Sequence, residues 1–320
     1  MIQEHTGRQT VNWSNPESVR ALNTALLVAD YGINSNYADI LPKGALFPPV
    51  PGRADYIHHI ADLLQSSNTN GGKDNVPTGR QVVGIDVGTG ASCMYPLLAT
   101  SIYGWRIIAT EINSMSIRSA RDIVAANELD ELIDVRAQEK SDFIFDGVLQ
   151  PEEVVDFTMC NPPFYTSKEA FQAENARKQR GLSRSRQARR NVSPLPVHLK
   201  TFSKSAAGMS NNFGGNEHEL WCNGGEVAFV KNMIRESELY RDRCLWFTSL
   251  VSRKNNLPKI ECIMNMKGTR RNRKKGGRRA RSQVEVQAVQ HLPMGTGHKS
   301  ATILMWSFLD EGQRREWGAR

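Results

Sequence analysis

The sequence predicts an α/β protein: a Rossmann-like, mostly parallel sheet of seven strands, with an antiparallel hairpin at one edge and a small helical module in front. Three observations predict it. Apolar strand-like runs such as 82–87 and 244–251 alternate with helical stretches, the signature of a doubly wound parallel sheet. A glycine-rich turn, Gly88-Thr89-Gly90, closes the first of these strands where a helix should begin. The last two strands, near 284–289 and 301–308, have no helix between them, so they should pair antiparallel at an edge.

The N-terminal elements come first. Residues 13–31 read as a helix, with Ser14-Asn15-Pro16-Glu17 as its cap and Val19, Leu22, Ala25 and Leu26 on one face. The proline-rich run 46–51 should not be helical. A second helix over about 54–64 carries Ile57, Ile60, Ala61 and Leu64 on one face. Residues 65–79 are polar and glycine-rich, a linker. The expected organisation is a helical module over 1–64, a linker over 65–79 and a core domain over 80–320.

Within the core, strands are expected at 82–87, 105–110, 133–137, 154–160 and 244–251, and helices at 91–102, 114–127 and 226–240. Residues 256–266 read as helical, and the terminal hairpin closes the chain. Residues 165–224 are polar and too long for an ordinary loop, so they read as an insertion. No internal repeat is present.

Charge divides the 320-residue chain. The net charge is +8, yet residues 177–190 hold seven Lys/Arg and no acid, and residues 267–281 hold nine Lys/Arg and no acid. The remainder carries 25 basic against 33 acidic residues. Two strips on an acidic body point to a polyanionic partner, although such runs also occur as solvated loops or nuclear addresses. No apolar run approaches a membrane span, and the first residues lack the features of a secretory signal. Five scattered cysteines form no CxxC pair, so a reduced, intracellular protein without a zinc site is expected.

Three motifs carry chemistry. In Asp86-Val87-Gly88-Thr89-Gly90-Ala91-Ser92, the glycines let the backbone turn and approach a ligand, and the following helix offers free N–H groups. No Gly-Lys-Ser/Thr follows, so this is not a phosphate-binding lysine loop; a tight structural turn is the alternative. Glu111 closes the second strand, 23 residues after Gly88, where a carboxylate can accept from ribose hydroxyls or merely cap a helix. Asp142 follows the third strand and could accept from an adenine amino group, or stand as an exposed acid.

Asn161-Pro162-Pro163-Phe164 follows the fourth strand. A doubly wound sheet sets the first and fourth strands side by side, so this motif and the glycine loop should face each other. The Asn161 side-chain oxygen and the Pro162 carbonyl are two acceptors on a backbone that prolines hold rigid. Two acceptors on an exocyclic amine favour a tetrahedral nitrogen whose lone pair is no longer lost into the ring. Phe164 offers a face on which a flat base can stack. Alone, the motif also reads as a rigid turn.

Taken in order, DVGTGAS, Glu111 and NPPF resemble the amine-methylating branch of class I S-adenosylmethionine-dependent methyltransferases. The segments VRALNTALL, VPGRADYIHHIADLL, GIDVGTGASCMYPLL, ATEIN, DFTMCNPPF, GGEVAFVKNMI and ILMWSFLD extend that resemblance to the methyltransferase-like protein 16 family, whose bacterial relatives methylate an adenine of the large ribosomal RNA. The resemblance covers about 11–310, apart from the linker, the insertion and the second basic strip. It implies S-adenosylmethionine as cofactor and no metal, a nuclear location, and structured RNA as partner, with U6 small nuclear RNA the characteristic eukaryotic substrate. It also implies that the N-terminal module binds RNA.

By matching motifs, Arg53 should contact the methionine carboxylate. Asp86, Gly88 and Ser92 should line the methionine and ribose part, Glu111 should hold the ribose hydroxyls, and Asp142 should lie by the adenine. Asn161, with Pro162, Pro163 and Phe164, should meet the target amine. Asp142 stands where animal members have Thr. The arm before the first helix is short, and the chain ends about ten residues after its last strand, which implies no extra C-terminal RNA-binding region. The second strip resembles an expansion in fungal or protist members. Protein-glutamine and DNA-adenine methyltransferases share an NPP-aromatic motif, but the basic strips disfavour the former and the N-terminal module disfavours both. A ribosomal RNA substrate is the closer alternative. A non-catalytic RNA binder would have no use for an intact Asn161–Phe164 corner.

Overall fold

A computed structural model describes residues 2–3, 9–12, 15–67, 76–167, 169, 222–266, 283–296 and 299–318. Most of the expected insertion and the two basic strips, 177–190 and 267–281, lie outside the described residues, as do linker residues 68–75.

The N-terminal part holds two short strands, β1 (Ile2–Gln3) and β2 (Gln9–Thr10), and helices α1 (Pro16–Tyr31), α2 (Tyr37–Ile40) and α3 (Val50–Ser67). Asn15 caps α1 by accepting from the Glu17 N–H at 3.0 Å, and Gly32 ends it at φ 66°. The proline-rich run was expected to exclude helix through residue 51, but α3 already begins at Val50. Proline has no N–H to lose in a first turn, and the buried Asn23 side chain accepts from the Val50 N–H at 3.0 Å. The helix also runs on past residue 64 to Ser67.

The core follows as β3 (Val83–Val87), α4 (Met94–Tyr103), β4 (Arg106–Glu111), α5 (Ser114–Ala126), β5 (Ile133–Ala137), β6 (Val155–Cys160), α6 (Gly225–Ser237) and β7 (Cys244–Val251). Next come α7 (Leu257–Glu261), β8 (Met264–Met266), β9 (Val284–Val286), β10 (Ala288–Thr296), β11 (Lys299–Ser307) and α8 (Glu311–Trp317). The seven-stranded sheet has the order β10-β11-β7-β6-β3-β4-β5. β7, β6, β3, β4 and β5 run parallel, and β11 pairs antiparallel with both β7 and β10. The parallel sheet and the antiparallel edge hairpin are those expected from the sequence.

Three expectations change in detail. Residues 256–266 are not one helix: α7 stops at Glu261, and Met264–Met266 pairs in parallel with Val284–Val286 as a separate two-stranded sheet. The helix expected from residue 91 starts at Met94, because Gly88, Gly90 and Cys93 all take positive φ and hold the loop open. A terminal helix, α8, follows the hairpin. Its capping box joins Asp310 and Gln313, and the buried Trp317 donates its indole N–H to Asp156 Oδ1 at 2.8 Å.

The N-terminal helices share the core of the sheet. Ile57, Ile60, Leu63 and Leu64 of α3 are buried in one apolar cluster with Leu97, Trp105, Leu245 and Met305. Each such side chain contributes roughly 1.5–3 kcal/mol when buried, enough to hold α3 to the sheet. Asn34 adds hydrogen bonds to Asn127 Oδ1 and the Ala126 carbonyl, and Trp246 Nε1 donates to Ser67 Oγ at 2.9 Å. Among the described residues, no helix is long and apolar enough to cross a membrane, and no three His, Cys, Asp or Glu side chains gather as a metal site.

Candidate active site

Ligands of open parallel sheets bind outside the carboxyl ends of the strands. β3 and β6 are adjacent and parallel, with Val87 opposite Cys160. The chain therefore leaves the sheet at Gly88 and at Asn161 next to each other. This is the juxtaposition expected of the glycine loop and Asn161-Pro162-Pro163-Phe164.

The end of β4 anchors the start of the glycine loop. The N–H groups of Gly88 and Thr89 both donate to the Thr110 carbonyl, at 3.0 and 2.9 Å. Gly88 sits at φ 73°, and a Cβ built on it would meet nothing within 4 Å, so open space lies where a ligand would pass. Glu111 is buried at 8% exposure. Its Oε2 accepts from the Gly90 N–H at 2.9 Å, and its Oε1 accepts from Ile112 and Asn113 at 2.8 and 2.9 Å. The carboxylate thus ties the glycine loop to the turn after β4, a structural duty beside the ribose contact implied by resemblance.

Beneath the loop, Asp86 Oδ2, Thr89 Oγ1 and Tyr95 Oη are buried with no well-formed hydrogen bond among the described residues. Such atoms are costly unless something satisfies them. Asp86 is 1% exposed. Burial pushes its carboxyl up to about 7 and Glu111 adds to the rise, while the Thr89 hydroxyl and the Arg53 guanidinium oppose it. Arg53, from α3, stacks over the Tyr95 ring at 5.3 Å. Ser92 is buried, and its carbonyl accepts from Tyr37 Oη at 2.8 Å. An open glycine cradle, a buried acid, an arginine and buried hydroxyls fit a ligand carrying both an ammonium and a carboxylate. S-adenosylmethionine is such a molecule, and the residues present suit it.

Arg53, Asp86, Gly88, Ser92 and Glu111 are thereby gathered about one corner, with Asn161 beside it. Pro162 is buried, while Phe164 is 39% exposed. Asp142 is exposed in the loop after β5. Gln138 links that loop to the corner: its backbone N–H donates to the Glu111 carbonyl at 2.8 Å, while its side chain braces the loop, Oε1 accepting from the Lys140 N–H and Nε2 donating to the Asp146 carbonyl. Sequence reasoning missed Thr89, Tyr95 and Gln138. Tyr95 had a signal in its place one residue into α4, directly after the glycine loop; Gln138 had none.

Comparison with known proteins gives the family and the fold. A family described as RNA methyltransferase matches residues 1–310. The chain is 41% identical over 314 residues to the ribosomal RNA large subunit methyltransferase F of Pseudomonas entomophila, covering 98% of this chain and 86% of the relative. It is 40% identical over 317 residues to the protein of the same name from Flavobacterium johnsoniae, covering 99% and 87%. Among solved structures, the human METTL16 catalytic domain in complex with MAT2A 3′UTR hairpin 1 superposes with a TM-score of 0.68 at 29% identity, covering 97% of this chain and 86% of that one. The N-terminal domain of human METTL16 in complex with SAH does so at 0.62 and 27%, covering 97% and 88%. Matched along nearly its whole length in sequence and fold, the chain belongs to the RNA methyltransferase family.

Proposed function

We propose that the protein transfers a methyl group from S-adenosylmethionine to the exocyclic N6 amine of an adenine in large-subunit ribosomal RNA. The observation that carries the chemistry is the Val87–Cys160 register, which sets the glycine cradle beside an acceptor corner with an exposed aromatic residue. When bound, the cofactor supplies an electrophilic methyl group. In this reading Asp86 and Arg53 hold its ammonium and carboxylate, Gly88 and Ser92 line its passage, and Glu111 takes its ribose hydroxyls. Asp142 is assigned to the adenine end on resemblance alone.

The Asn161 side-chain oxygen and the Pro162 carbonyl accept the N–H groups of the target amine and orient its lone pair. Phe164 stacks on the base, which must leave its own stack to reach the corner, as a loop or bulge of folded RNA allows. Rate comes from alignment and preorganised acceptors. The helices of residues 1–64 form the RNA-binding module in this reading.

The ribosomal substrate rests on similarity: 41% identity to the bacterial ribosomal enzymes against 27–29% to human METTL16. U6 small nuclear RNA, with a nuclear location, is the second reading, and it rests on the family resemblance; the neighbours bound to MAT2A 3′UTR hairpins support a structured RNA in either reading. The test is tritiated methyl transfer to large-subunit ribosomal RNA, U6 transcript, DNA and protein, followed by nucleoside analysis. Label in N6-methyladenosine of ribosomal RNA is expected. Preferential labelling of U6 would select the second reading, and label confined to DNA or protein would overturn both.

A further inference from the structure

Tyr56 reaches from α3 to the end of β6, just below Asn161. The backbone pairs of β6 with β7 are Val155↔Cys244 and Phe157↔Trp246. Beyond them, side chains bridge the two strands. Thr248 N–H donates to Thr158 Oγ1 at 3.2 Å, and Thr248 Oγ1 lies 2.7 Å from the Thr158 carbonyl. A carbonyl only accepts, so the single Thr248 hydroxyl proton goes there. Tyr56 Oη lies 2.7 Å from Thr248 Oγ1, which has only lone pairs left, so Tyr56 is the donor. The Cys160 N–H then donates to the Tyr56 oxygen at 3.4 Å.

Each direction in this chain is forced: Cys160 N–H to Tyr56, Tyr56 to Thr248, Thr248 to the Thr158 carbonyl. Tyr56, Thr158 and Thr248 are fully buried and Cys160 nearly so, where an unmade hydrogen bond is most costly. Burial also drives the Tyr56 hydroxyl well above its ordinary range, which keeps it a donor. The same ring meets Tyr95 edge-on at 5.5 Å, and Tyr95 is the ring beneath Arg53. One side chain of the N-terminal helices therefore touches both the cofactor corner and the strand end that carries the acceptor corner.

We propose that Tyr56 is a positioning residue for methyl transfer, its hydroxyl setting the Cys160 backbone and through it the placement of Asn161. This rests on Asn161 receiving the target amine. It also gives the N-terminal helices a part in turnover separate from any grip on RNA.

The test compares Tyr56→Phe, Thr248→Val and Thr248→Ser with wild type. Turnover is measured at saturating RNA and S-adenosylmethionine, together with KM for RNA, Kd for S-adenosylhomocysteine, melting temperature and amide exchange at Cys160, Asn161 and Phe164, the residues of Cys160–Phe164 that carry an N–H. Tyr56→Phe and Thr248→Val should each lower kcat by about 10- to 100-fold, the scale of a small misplacement of a reacting group. KM for RNA and the Kd should stay within about twofold, exchange across Cys160–Phe164 should quicken, and Thr248→Ser should keep the wild-type rate. Unchanged kcat in Tyr56→Phe overturns the proposal. So does a kcat loss that tracks lost cofactor affinity or melting temperature, which marks a merely structural tyrosine. If Tyr56→Phe does not fold, the contrast of Thr248→Val with Thr248→Ser decides on the same readouts. If wild type methylates no RNA, the functional reading itself fails. Exchange then decides alone: faster exchange in Tyr56→Phe upholds the link to Asn161, and unchanged exchange overturns it.

Discussion

Val87 and Cys160 stand opposite each other in the parallel register of β3 and β6, so Gly88 and Asn161 are the first residues off the sheet on neighbouring strands. Donor cradle and acceptor corner are thus held at a separation set by backbone hydrogen bonds rather than by loop chance. Variants on either side should part into effects on cofactor, on chemistry and on fold.

Gly88 and Gly84 test that partition within one strand and its loop. A Cβ at Gly88 meets open space, whereas one at Gly84 would lie 2.2 Å from Phe157 Cζ. Gly88→Val should remain folded, at a cost of roughly 1–2 kcal/mol for its left-handed backbone, and lose S-adenosylhomocysteine binding in calorimetry. Gly84→Ala should lose roughly 1–3 kcal/mol of stability by overpacking, read by urea denaturation. Normal affinity in Gly88→Val would remove the cofactor assignment.

Glu111→Ala should weaken S-adenosylhomocysteine binding by roughly 2–4 kcal/mol if two hydrogen bonds to the carboxylate are lost. The variant also strips the acceptor from Gly90, Ile112 and Asn113, so the melting temperature should fall in the same protein. Calorimetry and a melting curve read the two effects. A lower melting temperature with unchanged affinity would leave Glu111 only its structural duty.

Asp86 makes stability depend on pH. Its carboxyl rises from 3.8 to about 7 on folding, so the folded chain holds this proton more tightly than the unfolded one. The resulting stabilisation is complete below about pH 4 and is lost as pH rises through about 7, by up to roughly 4 kcal/mol. Urea denaturation of ligand-free protein across that window should show the decline, and Asp86→Asn should remove it. Binding of S-adenosylhomocysteine should strengthen over the same window if its ammonium meets the ionised acid. A pH-independent difference between wild type and Asp86→Asn would contradict the assignment.

Asn161→Ala and Phe164→Ala should abolish methyl transfer while leaving RNA affinity nearly intact, because phosphate contacts dominate such affinity. Filter binding beside single-turnover methylation separates the two. An Asn161→Ala protein that methylates at near wild-type rate would sink the mechanism.

Deleting residues 267–281 removes nine Lys/Arg. If about four of them contact phosphate, the slope of log affinity against log salt should fall by roughly 3. Affinity for all RNAs should drop alike, with methylation at saturating RNA preserved. An unchanged slope would assign the strip to some other task, such as nuclear import.

Much of the sheet was legible in the sequence because its signals are local. Strands β3, β4, β6 and β7 are bounded runs rich in apolar and β-branched residues, β5 alternates apolar with charged residues, and the missing helix before β11 announced the antiparallel edge. The capping box of α8, Asp310 with Gln313, is equally local, a signal three residues apart in the chain. The first residues of α3 were misread because proline propensity argues against helix interiors and is silent about first turns.

For the site, residue types and spacing alone determined Gly88, Glu111 and Asn161 as candidates, since a glycine turn and a strand-end acid or amide carry their chemistry in the local chain. Only the tertiary structure decided what surrounds them. Glu111 bonds amides on both sides of a loop, Asp86 is buried beneath the glycine loop, and Tyr56 meets Thr248 across 192 positions of sequence. No local pattern records which donor a buried hydroxyl will find. That depends on how helices and sheet pack, and burial then sets the strength of each bond and the acidity of each group.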